Sequence, residues 1–245
     1  MILRDISFSL PQENILFDEV LLYLAEQKKG GEALRFWESP ELFIVLGRTS
    51  KLSDDVYLDK AREHNISVLR RSSGGGTVLQ GKGCLNYSLI LSKEANPEII
   101  ALRKSYQFIL RKVVKALAAL GVEATFQPIS DIASNGKKFS GNAQKRGRGF
   151  ILHHGTILYH FDLALIEKFL KIPKAVPEYR KGRSHLAFLA NISVSREQLK
   201  SAFCTVFNIA NKKNILTSEE RKCLDVFLKT KNIAVDLSET VSSSP

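Results

Sequence analysis

Turn signals and hydrophobic periods along the chain predict an α+β fold: a central mixed, largely antiparallel sheet flanked by helices, followed by a small C-terminal helical appendage. Three observations carry this. Between residues 30 and 161 extended runs outnumber helical ones and few helices separate them, which argues against a doubly wound parallel sheet. Two apolar stripes at helical spacing need a core to cover them. After residue 191 two helix-start signatures follow one another with little strand character.

In chain order, Asn14 suits a helix N-cap, with Phe17, Val20, Leu21 and Leu24 as the apolar stripe and Gly30-Gly31 as the stop. Leu34-Arg35-Phe36-Trp37-Glu38 and Leu42-Phe43-Ile44-Val45-Leu46 are short β-rich runs, and Ser39-Pro40 reads as the turn between paired strands. Leu85, Tyr87, Leu89 and Leu91 alternate with Asn86, Ser88 and Ile90, the period of a strand with one buried face. Asn96 before Pro97 marks a second helix, whose Tyr106, Leu110, Val113, Leu117 and Leu120 keep one face up to Gly121. Residues 150–161 form another extended run. Ser195 with Gln198 and Thr217 with Glu220 fit the capping box and predict helices over 195–209 and 217–231; beyond them only Ile233-Ala234-Val235 has strand character. The main domain is therefore placed at 1–191 and the appendage at 192–245, with 242–245 expected to fray.

Of the 245 residues 44% are hydrophobic and 25% charged, a composition that buries a core and excludes wholesale disorder. Apolar runs fall far short of the ~20 residues that span a bilayer. Arg4 and Asp5 interrupt the N-terminus before a signal-type apolar segment forms, so a cytoplasmic protein is expected. Cys84, Cys204 and Cys223 are odd in number, widely spaced and without a CxxC, which suggests neither a disulfide framework nor a cysteine zinc site. Lys and Arg number 36 against 25 Asp and Glu, a net +11 that calls for an acidic partner: nucleic acid, membrane surface or acidic protein.

Three segments carry candidate chemistry. Gly76 to Gly83 approaches the phosphate-loop pattern GxxxxGK[ST], but Gly83 stands where a magnesium-binding hydroxyl is needed and the following residues alternate like a strand, so that reading is rejected. Arg70-Arg71-Ser72-Ser73-Gly74-Gly75-Gly76-Thr77-Val78 is a better anion site, since bare glycine amides beside a guanidinium suit a phosphate; a flexible turn with solvated arginines is the plainer alternative. Asn135-Gly136 signals a two-residue hairpin, so Lys137 and Lys138 open the return strand on opposite faces and only one can face a site. An exposed basic hairpin would give the same pattern. His153-His154 on a strand also project oppositely and have no third ligand nearby, which makes a metal improbable; spacing alone leaves their role, with Gly155 and Thr156, open.

Taken together and in this order, the segments resemble the lipoate–protein ligase A and octanoyltransferase family, the lipoate branch of the biotin/lipoate ligase superfamily. The family pattern RR-x-S-G-G-G-x-V, N-x-S, D-[LI], G-[KR]-K-x-[SA]-G-x-A and HHG-[ST]-x-L is met by Arg70 to Val78, Asn86-Tyr87-Ser88, Asp131-Ile132, Gly136 to Ala143 and His153 to Leu158. Asn14 with Glu19, Leu34 to Glu38 and Pro177 to His185 resemble further family segments. The resemblance covers about residues 10 to 191 and makes the main domain a catalytic domain related to biotin ligases and class II aminoacyl-tRNA synthetases.

The resemblance implies ATP- and Mg2+-dependent activation of lipoate or octanoate to an acyl-adenylate, then transfer to a lysine of a lipoyl domain. On that basis Arg71 and Gly74, Gly75, Gly76, Thr77, Val78 and Leu79 contact the nucleotide, Lys138 touches both the α-phosphate and the acyl carboxyl, and Asn86, His154, Gly155 and Thr156 line the substrate. Asp131 is the candidate for a magnesium held through ATP. A lysine between carboxylate and phosphate offsets their repulsion and stabilises charge on the bridging oxygens. The proton of the acceptor amine goes to the adenylate phosphate or to His154, and Leu85 or Tyr87 is expected along the acyl tunnel. The implied partners are acidic lipoyl domains of 2-oxoacid dehydrogenase E2 subunits and the glycine cleavage H protein. Residues 137–183 hold eleven basic residues against three acidic ones, a stretch expected to steer such domains in a salt-sensitive way. A separate accessory-domain protein is a further implied partner, because longer ligases carry a C-terminal domain. An ATP-independent octanoyl or lipoyl transferase is the alternative; it is disfavoured by the lack of cysteine in Phe126-Gln127-Pro128-Ile129-Ser130. A basic nucleic-acid-binding module is more remote, for want of any matching motif.

Overall fold

The computed structural model describes residues 1–237. Strand β1 (Ile2–Asp5) leads into helix α1 (Pro11–Glu26), then β2 (Ala33–Trp37), β3 (Phe43–Leu46), α2 (Leu52–Asp55), α3 (Leu58–Glu63), β4 (Ser67–Arg70), β5 (Val78–Gln80) and β6 (Cys84–Ser92). Helix α4 (Leu102–Ala118) precedes the strands β7 (Thr125–Gln127), β8 (Asp131–Ser134), β9 (Lys137–Arg146) and β10 (Phe150–Leu158). Helices α5 (Leu163–Phe169), α6 (His185–Phe188) and α7 (Arg196–Val206), the short β11 (Asn211–Lys212) and α8 (Ser218–Thr230) complete the chain.

Eight strands form one mixed sheet in the order β11-β1-β2-β6-β10-β9-β8-β7; β1 runs parallel to β11 and β2, and the remaining pairs are antiparallel. A smaller sheet, β4-β3-β5, stands apart from it. The expected fold class is thus observed. The alternation of β6 decides the layers. Leu85, Tyr87, Leu89 and Leu91 enter the core beneath α4 and α7, with Ile109, Val113, Leu199 and Phe203, whereas Ile90 faces α1 with Phe17, Val20 and Leu24. Residues 86 and 88 share that second face and remain polar because the cavity described below opens there.

Several local expectations are corrected. Helix α1 starts at Pro11 with Leu10 as N-cap, three residues before Asn14. Proline fixes φ and needs no amide partner in the first turn. Asn14 is instead buried inside the helix, where Oδ1 accepts from the Phe8 amide at 3.0 Å and Nδ2 donates to the Phe8 carbonyl at 2.8 Å. Asn96 and Pro97 open only a single 3-10 turn, Pro97–Ile99, and α4 begins afterwards at Leu102. The β2 and β3 segments do not pair with each other: β2 lies between β1 and β6 in the large sheet and β3 between β4 and β5 in the small one. Local turn chemistry at Ser39-Pro40 allowed either outcome, and the partners were set by residues distant in sequence.

Both C-terminal capping boxes are present, on α7 and α8. Helix α7 packs on α4 through Leu199 and Phe203, and α8 packs on α1 through Leu224. Ala234 bridges to Leu69 and the Val235 amide donates to the Val68 carbonyl at 2.8 Å, so 233–235 lie along the free edge of β4. Residues 242–245 lie outside the described part of the chain. Among the described residues no helix is long and apolar enough to cross a membrane.

Candidate functional site

A cavity of about 420 Å³ lies between the two sheets, with walls from α1, β5, β6, β9, β10 and the loop after β4. Two adjacent strands supply its polar floor by alternation: Asn86 and Ser88 from β6 face it, and so do His154 and Thr156 from β10, across from Gly141 and Ala143 on β9.

The Asn135-Gly136 turn has positive φ at both residues, 49° and 71°, as a tight hairpin requires. The return strand then sends Lys137 to solvent and Lys138 to the cavity. Lys138 Nζ lies 2.8 Å from Asp131 Oδ1 on the paired strand, and the Tyr179 hydroxyl donates to Asp131 Oδ2 at 2.8 Å. A Cβ at position 141 would stand 3.1 Å from both Cε and Nζ of Lys138, so Gly141 makes room for the lysine to lie over the strand. Burial and the neighbouring Asp131 push the Tyr179 phenol well up, which keeps it a donor. Asp131 is the carboxylate expected near magnesium; it is a single carboxylate with both oxygens engaged. Among the described residues no group of three or more His, Cys, Asp or Glu is placed to hold a metal.

Arg71 is buried, and its side chain shapes the glycine-rich loop from within. Nε donates to Ser73 Oγ at 3.0 Å, Nη1 to the Val45 carbonyl at 3.3 Å, and Nη2 to the carbonyls of Gly74 and Gly76 at 2.7 and 2.8 Å. Burial lowers its pKa to about 10, so it stays charged at neutral pH with its donors committed to the loop. Gly75, Gly76, Thr77 and Val78 also line the cavity. Gly74 and Leu79 do not: Gly74 serves Arg71 through its carbonyl, and Leu79, one step along a strand from Val78, turns into the core around Ile44 and Leu46. The Thr77 hydroxyl donates to Asp55 Oδ2 at 2.5 Å.

The two histidines separate as the strand period requires. His153 is fully buried, near Gln144 and Tyr87, and burial pushes its pKa down to about 3. His154 lines the cavity; its Nε2 is 2.6 Å from Ser73 Oγ and its Nδ1 3.7 Å from Asp18 Oδ2. With the Nδ1 edge turned toward Asp18 on α1, Nε2 accepts from the Ser73 hydroxyl and pins the glycine-rich loop to β10. Asp18 itself is buried. Burial raises its pKa, but Arg35 Nη1 at 2.6 Å, His154 and Ser88 outweigh this and hold it below the usual range. Asn86 pairs with Gln80 through two reciprocal amide hydrogen bonds of 3.0 and 2.9 Å.

Leu85 and Tyr87, expected along an acyl tunnel, lie instead in the core beneath α4. Apolar wall comes from Ile15, Trp37, Val45 and Val78. Residues missed in the sequence are Asp18, Gln80, Ser88, Asn142, Tyr179 and Arg180. Ser88 was within reach, since it shares the face of Asn86, but the partners of Asp18 and Arg180 are set by packing. None of the three cysteines lines the cavity, and burial pushes the Cys84 thiol up.

A model of the family described as lipoyl protein ligase A/B catalytic domain matches residues 10–208. A probable lipoate-protein ligase A of Mycoplasma pneumoniae is 35% identical over 168 residues, which cover 68% of this chain and 48% of that protein. The chain thus spans about half the length of this and a second Mycoplasma relative, of which it covers 47%. The octanoyltransferase LipM of Geobacillus kaustophilus is 28% identical over 93% of both chains. Two solved structures share the fold: the bi-partite lipoate protein ligase of Thermoplasma acidophilum, with a TM-score of 0.78, 22% identity and coverage of 94% of this chain and 92% of that one, and a lipoate-protein ligase A bound with ATP, with a TM-score of 0.77, 22% identity and 94% of each.

Proposed function

The chain belongs to the lipoyl protein ligase A/B catalytic-domain family, enzymes that include lipoate ligases and octanoyltransferases, and we propose that it works as the ATP-dependent ligase. The observation that carries this reading is Lys138, directed into the cavity over Gly141 and held there by Asp131, in a wall that contains no cysteine. A carboxylate oxygen of lipoate or octanoate attacks the α-phosphorus of ATP, the bond to the β-phosphate oxygen breaks, and pyrophosphate leaves. Lys138 stabilises the charge that gathers on the phosphoryl oxygens, and buried Arg71 adds a second positive charge to the same cavity. The apolar wall at Ile15, Trp37, Val45 and Val78 suits a C8 chain.

In the second step the amine of a lipoyl-domain lysine attacks the acyl carbonyl, AMP departs, and the amine proton leaves with the phosphate. His154 serves as the pin of the glycine-rich loop through the contact of its Nε2 with Ser73 Oγ, while its Nδ1 faces Asp18. Nucleotide contacts are assigned to Gly75, Gly76, Thr77 and Val78, and substrate contacts to Asn86, Gly155 and Thr156. Magnesium would arrive on the phosphates, since among the described residues no group of three or more His, Cys, Asp or Glu is placed to hold it. Acceptors are acidic lipoyl domains of E2 subunits and H protein, drawn to the basic residues of 137–183. The Thermoplasma relative is described with its E2 lipoyl domain and as bi-partite, which supports a lipoyl-domain acceptor and a separate accessory protein for this chain.

One observation favours a second reading, ATP-independent octanoyl transfer: LipM matches this chain over nearly its whole length. Incubation with an apo lipoyl domain separates the two. Intact mass should rise with lipoate or octanoate only when ATP is present, and pyrophosphate release by the chain alone shows whether an accessory protein is needed. Modification from an octanoyl carrier protein without ATP, and none from free acid with ATP, would replace the ligase reading by the transferase.

A further inference from the structure

Three cations belong to the cavity wall and differ in what their donors still offer. Lys138 is paired with Asp131, and Arg71 spends its nitrogens on Ser73 and three carbonyls. Arg180 is different. Its residue is only 4% exposed, its Nε donates to the Arg183 carbonyl at 2.9 Å, and its guanidinium carbon lies 4.8 Å over the Phe188 ring, which is also part of the wall. Its Nη2 is buried with no hydrogen-bond partner, and among the described residues no carboxylate forms an ion pair with it. Buried donors in folded proteins are normally satisfied, and the carboxylates of Asp131 and Glu167 act on this guanidinium through space without pairing with its Nη2.

The turn that carries Arg180 is tied to the reacting centre. Tyr179, its neighbour in sequence, donates to the carboxylate that holds Lys138, so the turn is joined to Lys138 through the Tyr179 hydroxyl and Asp131. Lys181 and Gly182, at φ 50° and 69°, close the turn and return the Arg183 backbone to the Arg180 side chain. A planar fork with an unpaired nitrogen matches the non-bridging oxygens of a phosphoryl group, where two donors can bind side by side.

We propose that Arg180 binds the phosphate oxygens of the nucleotide in this cavity, the unpaired nitrogen being completed by the ligand. This rests on the ATP-dependent reading above. The test is calorimetric titration of wild type, Arg180→Met and Arg180→Lys with ATP, with inorganic pyrophosphate and with octanoate, alongside melting curves. Loss of hydrogen bonds to a charged partner predicts that Arg180→Met weakens ATP and pyrophosphate about ten- to hundredfold, while octanoate changes less than about twofold. Arg180→Lys keeps the charge without the fork and should recover part of the loss. If Arg180→Met fails to fold, Arg180→Lys decides, and wild-type ATP affinity in it overturns the assignment. Unchanged affinities in Arg180→Met make Arg180 a clamp of the 177–188 turn only, and a selective loss of octanoate makes it a carboxylate site; either overturns the proposal while leaving the ligase reading intact. Wild-type protein that binds neither ATP nor pyrophosphate sinks both.

Discussion

Replacing Lys138 by alanine separates the catalytic from the structural part of one ion pair. The Lys138 side chain is 28% exposed and that of Asp131 10%, with 2.8 Å between them. Fully exposed pairs are worth ~0–1 kcal/mol and the loss of one partner of a buried pair costs ~3–5 kcal/mol, so this half-buried pair should cost about 1–2 kcal/mol. For a domain of this size that is a fall of about 2–4 °C in Tm per kcal/mol. The effect on chemistry should be larger, about 10²–10³-fold in the rate of acyl-adenylate formation, the usual loss when one preorganised electrostatic donor is removed. Calorimetric melting reads the first and hydroxylamine trapping of the adenylate the second, with exposed Lys137→Ala as control. Adding Asp131→Asn to Lys138→Ala removes the orphaned carboxylate, so the double variant should regain much of the stability and none of the rate. Adenylation by Lys138→Ala within about threefold of wild type would remove Lys138 from the chemistry.

Two further predictions concern stability. Gly155→Ala places a Cβ 1.9 Å from Asn142 Oδ1 and 2.8 Å from Tyr87 Cε1, two groups already fixed by the Tyr87 hydroxyl donating to Asn142 at 2.5 Å. Urea unfolding should show a loss of about 1–3 kcal/mol, as overpacking of a closed site does. His153 stays neutral until about pH 3, because burial disfavours its charged form, whereas the unfolded chain protonates it near pH 6.5. Its contribution is therefore complete above about pH 6.5 and falls, by at most ~1.4 kcal/mol per pH unit, as the pH drops toward 3. His153→Gln should flatten the decline of stability between pH 6 and 4, read from urea midpoints; an unchanged slope would show that other groups carry it.

The ordered motifs contain many of the residues that line the cavity. Lys138, the glycine-rich loop and His154 meet at one cavity through tertiary packing, whereas the opposite facing of Lys137 and Lys138 and of His153 and His154 follows from local strand period. The sequence was less able to tell which backbone amides stay free. Arg71, expected to contact the nucleotide, lines the cavity and also braces its own loop from within, and Gly74 and Leu79 lie outside the cavity wall for reasons of hydrogen bonding and strand period. Leu85 and Tyr87 were assigned to the wrong face of β6, because alternation gives two faces without saying which one lies beneath a helix.

By itself the sequence determined the class of fold, the helix starts at Ser195 and Thr217, the hairpin at Asn135-Gly136 and the opposite facing of Lys137 and Lys138. Each depends on groups a few residues apart, whose geometry is set by backbone sterics and local hydrogen bonds. Only the tertiary structure decided that β2 and β3 belong to different sheets, that α7 and α8 bury Leu199, Phe203 and Leu224 in the cores beneath α4 and α1, and that Arg35 meets Asp18 in the interior. Those contacts join residues far apart in the chain, and their partners are chosen by which apolar surfaces and buried charges can be satisfied together once the layers close.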